Sequence, residues 1–190
     1  MKLLQITAPG ESTVLDVPVP EAGTGQVLVR VEAVTTCPQW DLHLRHDEPM
    51  FPGHKFHYPY EPGQPGHEAT GEIVAVGGGV SAARVGERVS VWRDQGAARQ
   101  GCYAQYVVAE ADNTIAVPSG LAPEATAPLE LAMCVGASFR MLKQMDAVRG
   151  RCFGVTGLGP AGLIAVQMAK AEGAAWVAGF FFCWRGASLR

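Results

Sequence analysis

The spacing of apolar residues changes once along the chain, at Pro123, and this change limits the possible folds more than any other feature. Upstream, short apolar runs are separated by Gly and Pro, and Val27, Val29 and Val31 recur at every second position, as in a half-buried strand. Several such runs at short spacing predict a small β-barrel. Downstream, a long amphipathic helix is predicted to begin at Pro123. Its apolar residues at helical spacing are Leu131, Val135, Phe139, Leu142 and Met145.

A glycine-rich turn follows this helix, between a predicted strand at Cys152–Thr156 and a predicted helix from Ala161 to Glu172. The turn consists of Gly157, Leu158, Gly159, Pro160, Ala161 and Gly162. In a dinucleotide-binding fold the first glycine permits the tight turn, the second admits the pyrophosphate, and the third packs helix against strand. All six residues are therefore candidate cofactor-binding residues, and a ligand-free turn of any α/β protein is the alternative. A strand at Trp176–Phe180 would complete a βαβ unit of a parallel sheet.

The C-terminal region lacks parts that such a sheet normally has. An acidic residue that binds the ribose hydroxyls is expected about 20 residues after the glycines, but that position falls near Phe181. The sequence therefore does not predict whether NAD or NADP binds. The chain also ends after one βαβ unit, which leaves a sheet edge and two faces uncovered. We hypothesise a truncated chain, and a shifted reading frame would explain a tail, residues 181–190, with neither helical nor strand periodicity.

Composition excludes several other classes of protein. The net charge is −3, and no Lys/Arg run marks a nucleic-acid or membrane surface. The longest apolar run, Ala174 to Trp184, is shorter than the roughly 20 residues that span a bilayer. The cysteines are odd in number and far apart, so we expect a reducing compartment, the cytoplasm, and no four-cysteine zinc site. They are Cys37, Cys102, Cys134, Cys152 and Cys183.

Two segments of the β-rich part carry candidate metal ligands. Cys37 follows an apolar strand, while His67 and Glu68 precede Gly71, which we expect to form a turn before the strand that begins near Ile73. A thiolate and an imidazole are natural zinc ligands, and a catalytic zinc takes three protein ligands and keeps one open position. Taken singly, each residue is more often structural, because a free cysteine is commonly buried. The prediction of a metal site rests on their combination.

Together these motifs resemble those of the medium-chain dehydrogenase/reductase family, the alcohol dehydrogenase superfamily. The resemblance extends to about Phe180, and it implies a mixed β and α/β fold. A chaperonin-10-like (GroES-like) β-barrel domain, the catalytic domain, would occupy residues 1–122. Residues 123–190 would hold the connecting helix and the first βαβ unit of a Rossmann nucleotide-binding domain. The motifs are the stretch from Cys37 to His43, Gly66–Val74, Val85–Val89, Tyr103–Val108 and the glycine turn.

The resemblance also implies roles for individual residues. Cys37 and His67 match the first two ligands of the catalytic zinc, and Glu68 matches the carboxylate beside the metal that can enter its coordination shell. The third ligand of the family is Cys or Glu. Glu130 fits the polyol dehydrogenase pattern better than Cys134, which remains the alternative.

Two departures from the family pattern affect the site. The family motif usually places a Thr or Ser hydroxyl after the cysteine to pass on the substrate proton, whereas Gln39 and Trp40 stand there, with one extra residue. A Gln amide cannot relay a proton as a hydroxyl does. His43 is then either the outer proton relay, and so a catalytic residue, or a surface histidine. Between Val91 and Gly101, where many members carry four cysteines for a structural zinc, the chain has none.

The function that the resemblance implies is hydride transfer between an alcohol or polyol and NAD or NADP, with one catalytic Zn²⁺ and no structural zinc. The partners would be a small alcohol or carbonyl substrate and, for a full-length protein, further copies of the chain. Because most of the cofactor domain is missing, we expect little or no turnover from these 190 residues. Two alternatives remain open: a zinc-free NADPH-dependent reductase of quinones or enones, and an inactive fragment that acts as an assembly partner.

Overall fold

The chain divides into two compact units, Met1–Glu130 and Leu131–Arg190. The computed structural model describes residues 1–81, 83–91 and 99–181. Most of the segment without zinc-binding cysteines, 92–98, and the tail 182–190 lie outside these residues, so the predictions for them stay predictions, as does the domain boundary after residue 122. Within the described ranges, no helix has the length and apolar character needed to cross a bilayer.

The first unit consists mainly of antiparallel strands. β1 and β2 form a hairpin, and β3 to β7 form one sheet in the order β6-β3-β4-β5-β7. A bridge between Leu3 and Ala104 joins β1 to the segment that leads into β6. The strands are β1 (Lys2–Ala8), β2 (Glu11–Asp16), β3 (Gln26–Thr35), β4 (Glu68–Val76), β5 (Arg88–Val91), β6 (Tyr106–Glu110) and β7 (Thr114–Ala116).

The core of this unit is formed by the apolar residues of the five-stranded sheet. Val27 and Val29 of β3 are fully buried, which agrees with the period-two pattern of that strand. Small and branched side chains from the neighbouring strands and the buried Cys102, which precedes β6, fill the rest of the core. These are Ala69, Ile73, Val89, Val91, Cys102, Val107 and Ala109.

The expectation of a turn at Gly71 is wrong. β4 begins at Glu68, and Gly71 lies inside the strand, paired with Val31. A Cβ atom added at Gly71 would lie only 2.2 Å from the backbone oxygen of Arg30. The glycine is therefore needed because β3 approaches β4 closely at an irregular point of the ladder, where the register shifts between Val31 and Ala33.

A short helix that the periodicity did not predict, α1 (Pro38–His46), follows β3 directly. Pro38 suits the first helical turn, where a backbone N–H has no helical partner. The helix ends at Asp47, which adopts a left-handed conformation with φ 54°. Leu44 is its buried anchor, with no exposed surface.

The single long helix predicted from Pro123 is instead two helices, α2 (Pro123–Thr126) and α3 (Leu129–Gln144). Pro128 separates them because it has no N–H to donate to a continuous helix. The strand–turn–helix–strand prediction for the second unit is confirmed. β8 (Cys152–Thr156) pairs in parallel with β9 (Trp176–Phe180), and α4 (Pro160–Ala171) connects them.

Leu44, the buried residue of α1, should contribute most of the packing energy that holds this helix in place. We expect Leu44→Ala to lower the free energy of unfolding by about 2–5 kcal/mol, because it removes a fully buried side chain and leaves a cavity. Leu42→Ala is the matched control on the same helix, since Leu42 is 53% exposed, and it should change the stability by less than about 0.5 kcal/mol. Urea unfolding of the metal-free protein measures both. Equal effects of the two substitutions would contradict the packing described.

Candidate metal centre

Cys37 lies at the N-cap of α1, two residues after the last residue of β3. Burial raises the pKa of its thiol, and the backbone N–H groups of Trp40 and Gln39 lower it in part by hydrogen bonding to the sulfur. The negative charge of Glu68 raises the pKa further. Without a metal the thiol therefore favours its protonated form, while the helix N-terminus already supplies donors that suit a thiolate.

His67 lies directly before β4, and its side chain is 10% exposed. Its Nδ1 atom is 2.7 Å from the carbonyl oxygen of Pro65, so Nδ1 carries the proton and donates this hydrogen bond. The lone pair of Nε2 is then free to bind a metal, as in many sites where a backbone carbonyl fixes the tautomer of a ligating histidine. Nε2 faces two carboxylates, at 3.7 Å from Glu68 and 4.0 Å from Glu130.

Glu68 is the first residue of β4 and pairs with Thr35, the last residue of β3. The Thr35 hydroxyl donates a hydrogen bond of 2.6 Å to the Glu68 carboxylate, which is almost fully buried. Burial raises the pKa of Glu68, while the hydrogen bond from Thr35 and the neighbouring His67 partly lower it. A buried carboxylate with a raised pKa next to a histidine and a cysteine is typical of a functional site.

The ligand atoms of Cys37, His67 and Glu68 all lie within 4.8 Å of one another. Ligand atoms on a tetrahedral zinc at about 2.0–2.3 Å are separated by about 3.3–3.8 Å, so small side-chain movements would complete the coordination. The set of one sulfur, one imidazole nitrogen and carboxylate oxygens suits zinc better than magnesium or calcium, which prefer oxygen ligands alone. The residues present therefore fit a zinc ion.

The two candidates for the third ligand lie in different units. Glu130 is the last residue of the first unit, and its side chain is 18% exposed beside His67. Its charge also raises the pKa of Glu68. Cys134 belongs to the second unit and is exposed. The assignment of Glu130 stays a prediction, supported by its distance from His67.

His43 lies on α1, and its contacts are at the surface. Its Nδ1 is 3.0 Å from the carbonyl oxygen of Glu48, and its Nε2 is 3.4 Å from the side-chain nitrogen of Gln39. With Nδ1 protonated, Nε2 accepts a hydrogen bond from the Gln39 amide. The relay role of His43 stays a prediction, because these contacts lead to a backbone carbonyl and an amide rather than to the metal cluster.

The glycine turn of the second unit has the geometry that its sequence predicts. Gly157 adopts a positive φ of 87°, and Gly159 is the N-cap of α4. A Cβ atom on Gly162 would lie 1.8 Å from the backbone oxygen of Gly157, so only glycine allows this approach of helix and turn. An open groove of about 570 Å³ runs along the turn, lined also by Pro160 and Ala161. Leu158 packs over Gly179 of β9. The N-terminus of α4 at this groove is suited to a phosphate group.

Sequence reasoning missed Thr35 as a partner of the site and α1 as the element that orients Cys37. The register of β3 against β4, which the sequence does not encode locally, places Thr35 opposite Glu68. Pro38 directly after Cys37 was a usable signal for a helix start.

The raised pKa of Glu68 predicts an unusual pH dependence of stability in the metal-free protein. Its charged form opposes folding, so stability should increase as the pH falls through the raised pKa toward the ordinary value of 4.5. Glu68→Gln removes the charge, and the amide oxygen can still accept from Thr35. We expect the variant to have a higher urea midpoint than the parent at pH 8, with a difference that shrinks toward pH 4.5.

Glu72→Gln is the control for this experiment, because Glu72 lies on the same strand in a half-exposed ion pair with Arg30. Such a pair contributes about 0–1 kcal/mol, and the control should not stabilise the protein. A Glu68→Gln variant that is less stable than the parent at pH 8, with a chelator present, would contradict the burial of a charged group.

Comparisons with known proteins identify the family of this chain. The alcohol dehydrogenase GroES-like domain family matches residues 23–119. An alcohol dehydrogenase of Geobacillus stearothermophilus is 34% identical over 185 residues, which cover 84% of this chain and 52% of that protein. The chain thus spans about half the length of the curated relatives that it matches.

Two solved structures share the fold at 26% identity and cover 94% of this chain and 55% of theirs. Galactitol-1-phosphate dehydrogenase from Escherichia coli matches with a TM-score of 0.78. A protein from Sinorhizobium meliloti 1021, described as a zinc-binding dehydrogenase and bound to NADP, matches with a TM-score of 0.75. The predicted fold class, a GroES-like domain followed by a βαβ unit of the Rossmann type, is confirmed. The chain belongs to the medium-chain dehydrogenase/reductase family, in its alcohol dehydrogenase group.

Proposed function

We propose that this chain supplies the catalytic zinc site, and the first phosphate-binding turn, of an oxidoreductase that transfers hydride between an alcohol or polyol and NAD or NADP. The observation that carries the proposal is the cluster of Cys37, His67 and Glu68, whose ligand atoms lie within 4.8 Å of one another. The bound NADP and the zinc-binding description of the Sinorhizobium structure support the choice of metal and cofactor. The cytoplasm, as the cysteine pattern indicates, is the proposed location.

Cys37 and His67 would hold the zinc, with Glu130 as the third ligand. When bound, zinc acts as a Lewis acid that lowers the pKa of the substrate hydroxyl. The Nδ1–H of His67 donates to the carbonyl oxygen of Pro65 and so leaves the lone pair of Nε2 available to bind the metal. Glu68, oriented by Thr35, places a carboxylate beside these ligands and can balance the charge of the centre.

The glycine turn would position the nicotinamide cofactor through its pyrophosphate. Gly157 and Gly162 allow the close approach of turn and helix, and Gly159 opens the N-terminus of α4 toward the groove. The cofactor carries the hydride chemistry, and the protein contributes its orientation. The metal cluster thus belongs to the first unit, and the glycine turn belongs to the second.

The metal cluster also weighs against the alternatives. A zinc-free reductase of quinones or enones does not require a Cys, a His and a Glu whose ligand atoms converge. A carboxylate with a raised pKa, buried at the start of β4, would bring no benefit to an inert assembly partner, because burying a charged group destabilises the fold.

The proposal predicts that the purified protein contains about one zinc per chain. Cys37→Ala should reduce the zinc content to nearly none, because it removes the only sulfur ligand of the cluster. Cys152→Ala, which removes an exposed thiol of the second unit, should keep the parent zinc content. Elemental analysis by mass spectrometry measures all three proteins. A parent without zinc, or a Cys37→Ala variant with the full zinc content, would overturn the proposal.

The third ligand can be identified by a pair of substitutions. We expect Glu130→Gln to weaken zinc binding by more than about 10-fold, since an amide oxygen is a poorer ligand than a carboxylate. Cys134→Ser should leave the affinity close to that of the parent. Competition with a chromophoric chelator gives the affinities. The opposite ranking would make Cys134 the third ligand and would show that Glu130 is dispensable.

A further inference from the structure

Tyr103 packs directly against the turn that carries His67. The backbone N–H of Tyr103 donates to the carbonyl oxygen of Gly63, and that of Cys102 donates to Gly66, at 3.0 and 2.8 Å. A Cβ atom on Gly66 would lie 2.6 Å from the Tyr103 nitrogen and 2.8 Å from its ring. Tyr103 is therefore tightly packed against the segment that precedes His67.

The hydroxyl of the same tyrosine reaches the other half of the metal site. It donates a hydrogen bond of 2.7 Å to Oδ1 of Asp41. The other oxygen of Asp41, Oδ2, accepts a hydrogen bond of 2.8 Å from the backbone N–H of Cys37. Each carboxylate oxygen thus has one partner, and a continuous path of contacts runs from the His67 turn through Tyr103 and Asp41 to Cys37.

We propose that Tyr103 and Asp41 are positioning residues that set the separation of Cys37 and His67, and so the metal affinity of the site. This inference rests on the proposed zinc site. Hydrogen bonds to a carboxylate are stronger than those between neutral groups, so this pair can hold α1 against the His67 turn. Metal ligands need to be held within about 0.5 Å of their bound positions, and supporting contacts of this kind provide that restraint.

A purely structural role is the competing explanation. Asp41 lies in the first turn of α1, where a carboxylate that accepts from the N-cap N–H stabilises any helix. Tyr58 offers a comparison, because its hydroxyl also fastens α1, through a hydrogen bond of 2.5 Å to the carbonyl oxygen of Leu44. Tyr103 thus contacts the N-terminal half of the helix, and Tyr58 contacts the C-terminal half. Only the contact of Tyr103 leads to a metal ligand, so the two explanations make different predictions.

The test is the zinc affinity of the 190-residue chain and of five variants, four single and one double, measured by chelator competition. Tyr103→Phe should weaken zinc binding by about 10- to 100-fold, the usual effect of losing a contact that supports a ligand. Asp41→Asn should stay within about threefold of the parent, because its amide can accept from Cys37 and donate to Tyr103. Tyr58→Phe, the matched control, should bind zinc like the parent even if it lowers the thermal stability.

Two further measurements distinguish a role in positioning the metal ligands from a general loss of stability. The visible spectrum of the cobalt-substituted protein should change in Tyr103→Phe and remain that of the parent in Tyr58→Phe, since it reports the geometry around the metal. Adding Tyr103→Phe to Asp41→Ala should weaken binding no further than Asp41→Ala alone, because the tyrosine acts through the aspartate.

An unchanged affinity and cobalt spectrum in Tyr103→Phe would overturn the inference and leave the zinc site itself intact. Equal losses in Tyr103→Phe and Tyr58→Phe would also overturn it, in favour of a structural role. A parent chain that binds no zinc would instead overturn the proposed function, and the inference with it. If Asp41→Ala fails to fold, Tyr103→Phe and Asp41→Asn still decide between the outcomes.

Discussion

The pairing of β3 with β4 is the interaction on which the rest of the site depends. It sets Thr35 opposite Glu68 and thereby brings the end of one strand, which leads to Cys37, beside the start of the other, which follows His67. A shift of the register by one residue would turn Glu68 to the opposite face of the sheet and separate it from the other ligands. The absence of a side chain at Gly71 permits the close strand approach within this ladder.

Much of the fold followed from the sequence because its signals are local. Alternating apolar residues marked β3, and the glycine turn between a strand and a helix marked the βαβ unit, whose parallel pairing is confirmed. Errors arose where a local signal had two meanings. Gly71 indicated a turn but serves close packing, and Pro123 indicated one long helix although Pro128 interrupts it. The helix α1 was not predicted, because its nine residues are too few to show a recognisable helical periodicity.

The candidate site likewise has one part that the sequence predicts and another that it does not. Cys37, His67 and Glu68 were identified from motifs, and the structure places their ligand atoms together. The contacts that orient them were not predictable, because they join residues far apart in sequence. Tyr103 and Asp41 are 62 positions apart, and only the three-dimensional fold brings the hydroxyl to the carboxylate. Motifs thus identify the groups that do chemistry, whereas the groups that position them depend on tertiary structure.

X-ray absorption at the zinc edge of the purified, zinc-loaded chain tests whether a zinc ion binds to Cys37 and His67. We expect a first coordination shell with one sulfur at about 2.3 Å and nitrogen or oxygen ligands at about 2.0–2.2 Å. A shell of nitrogen and oxygen alone, or a protein that retains no zinc, would contradict this expectation.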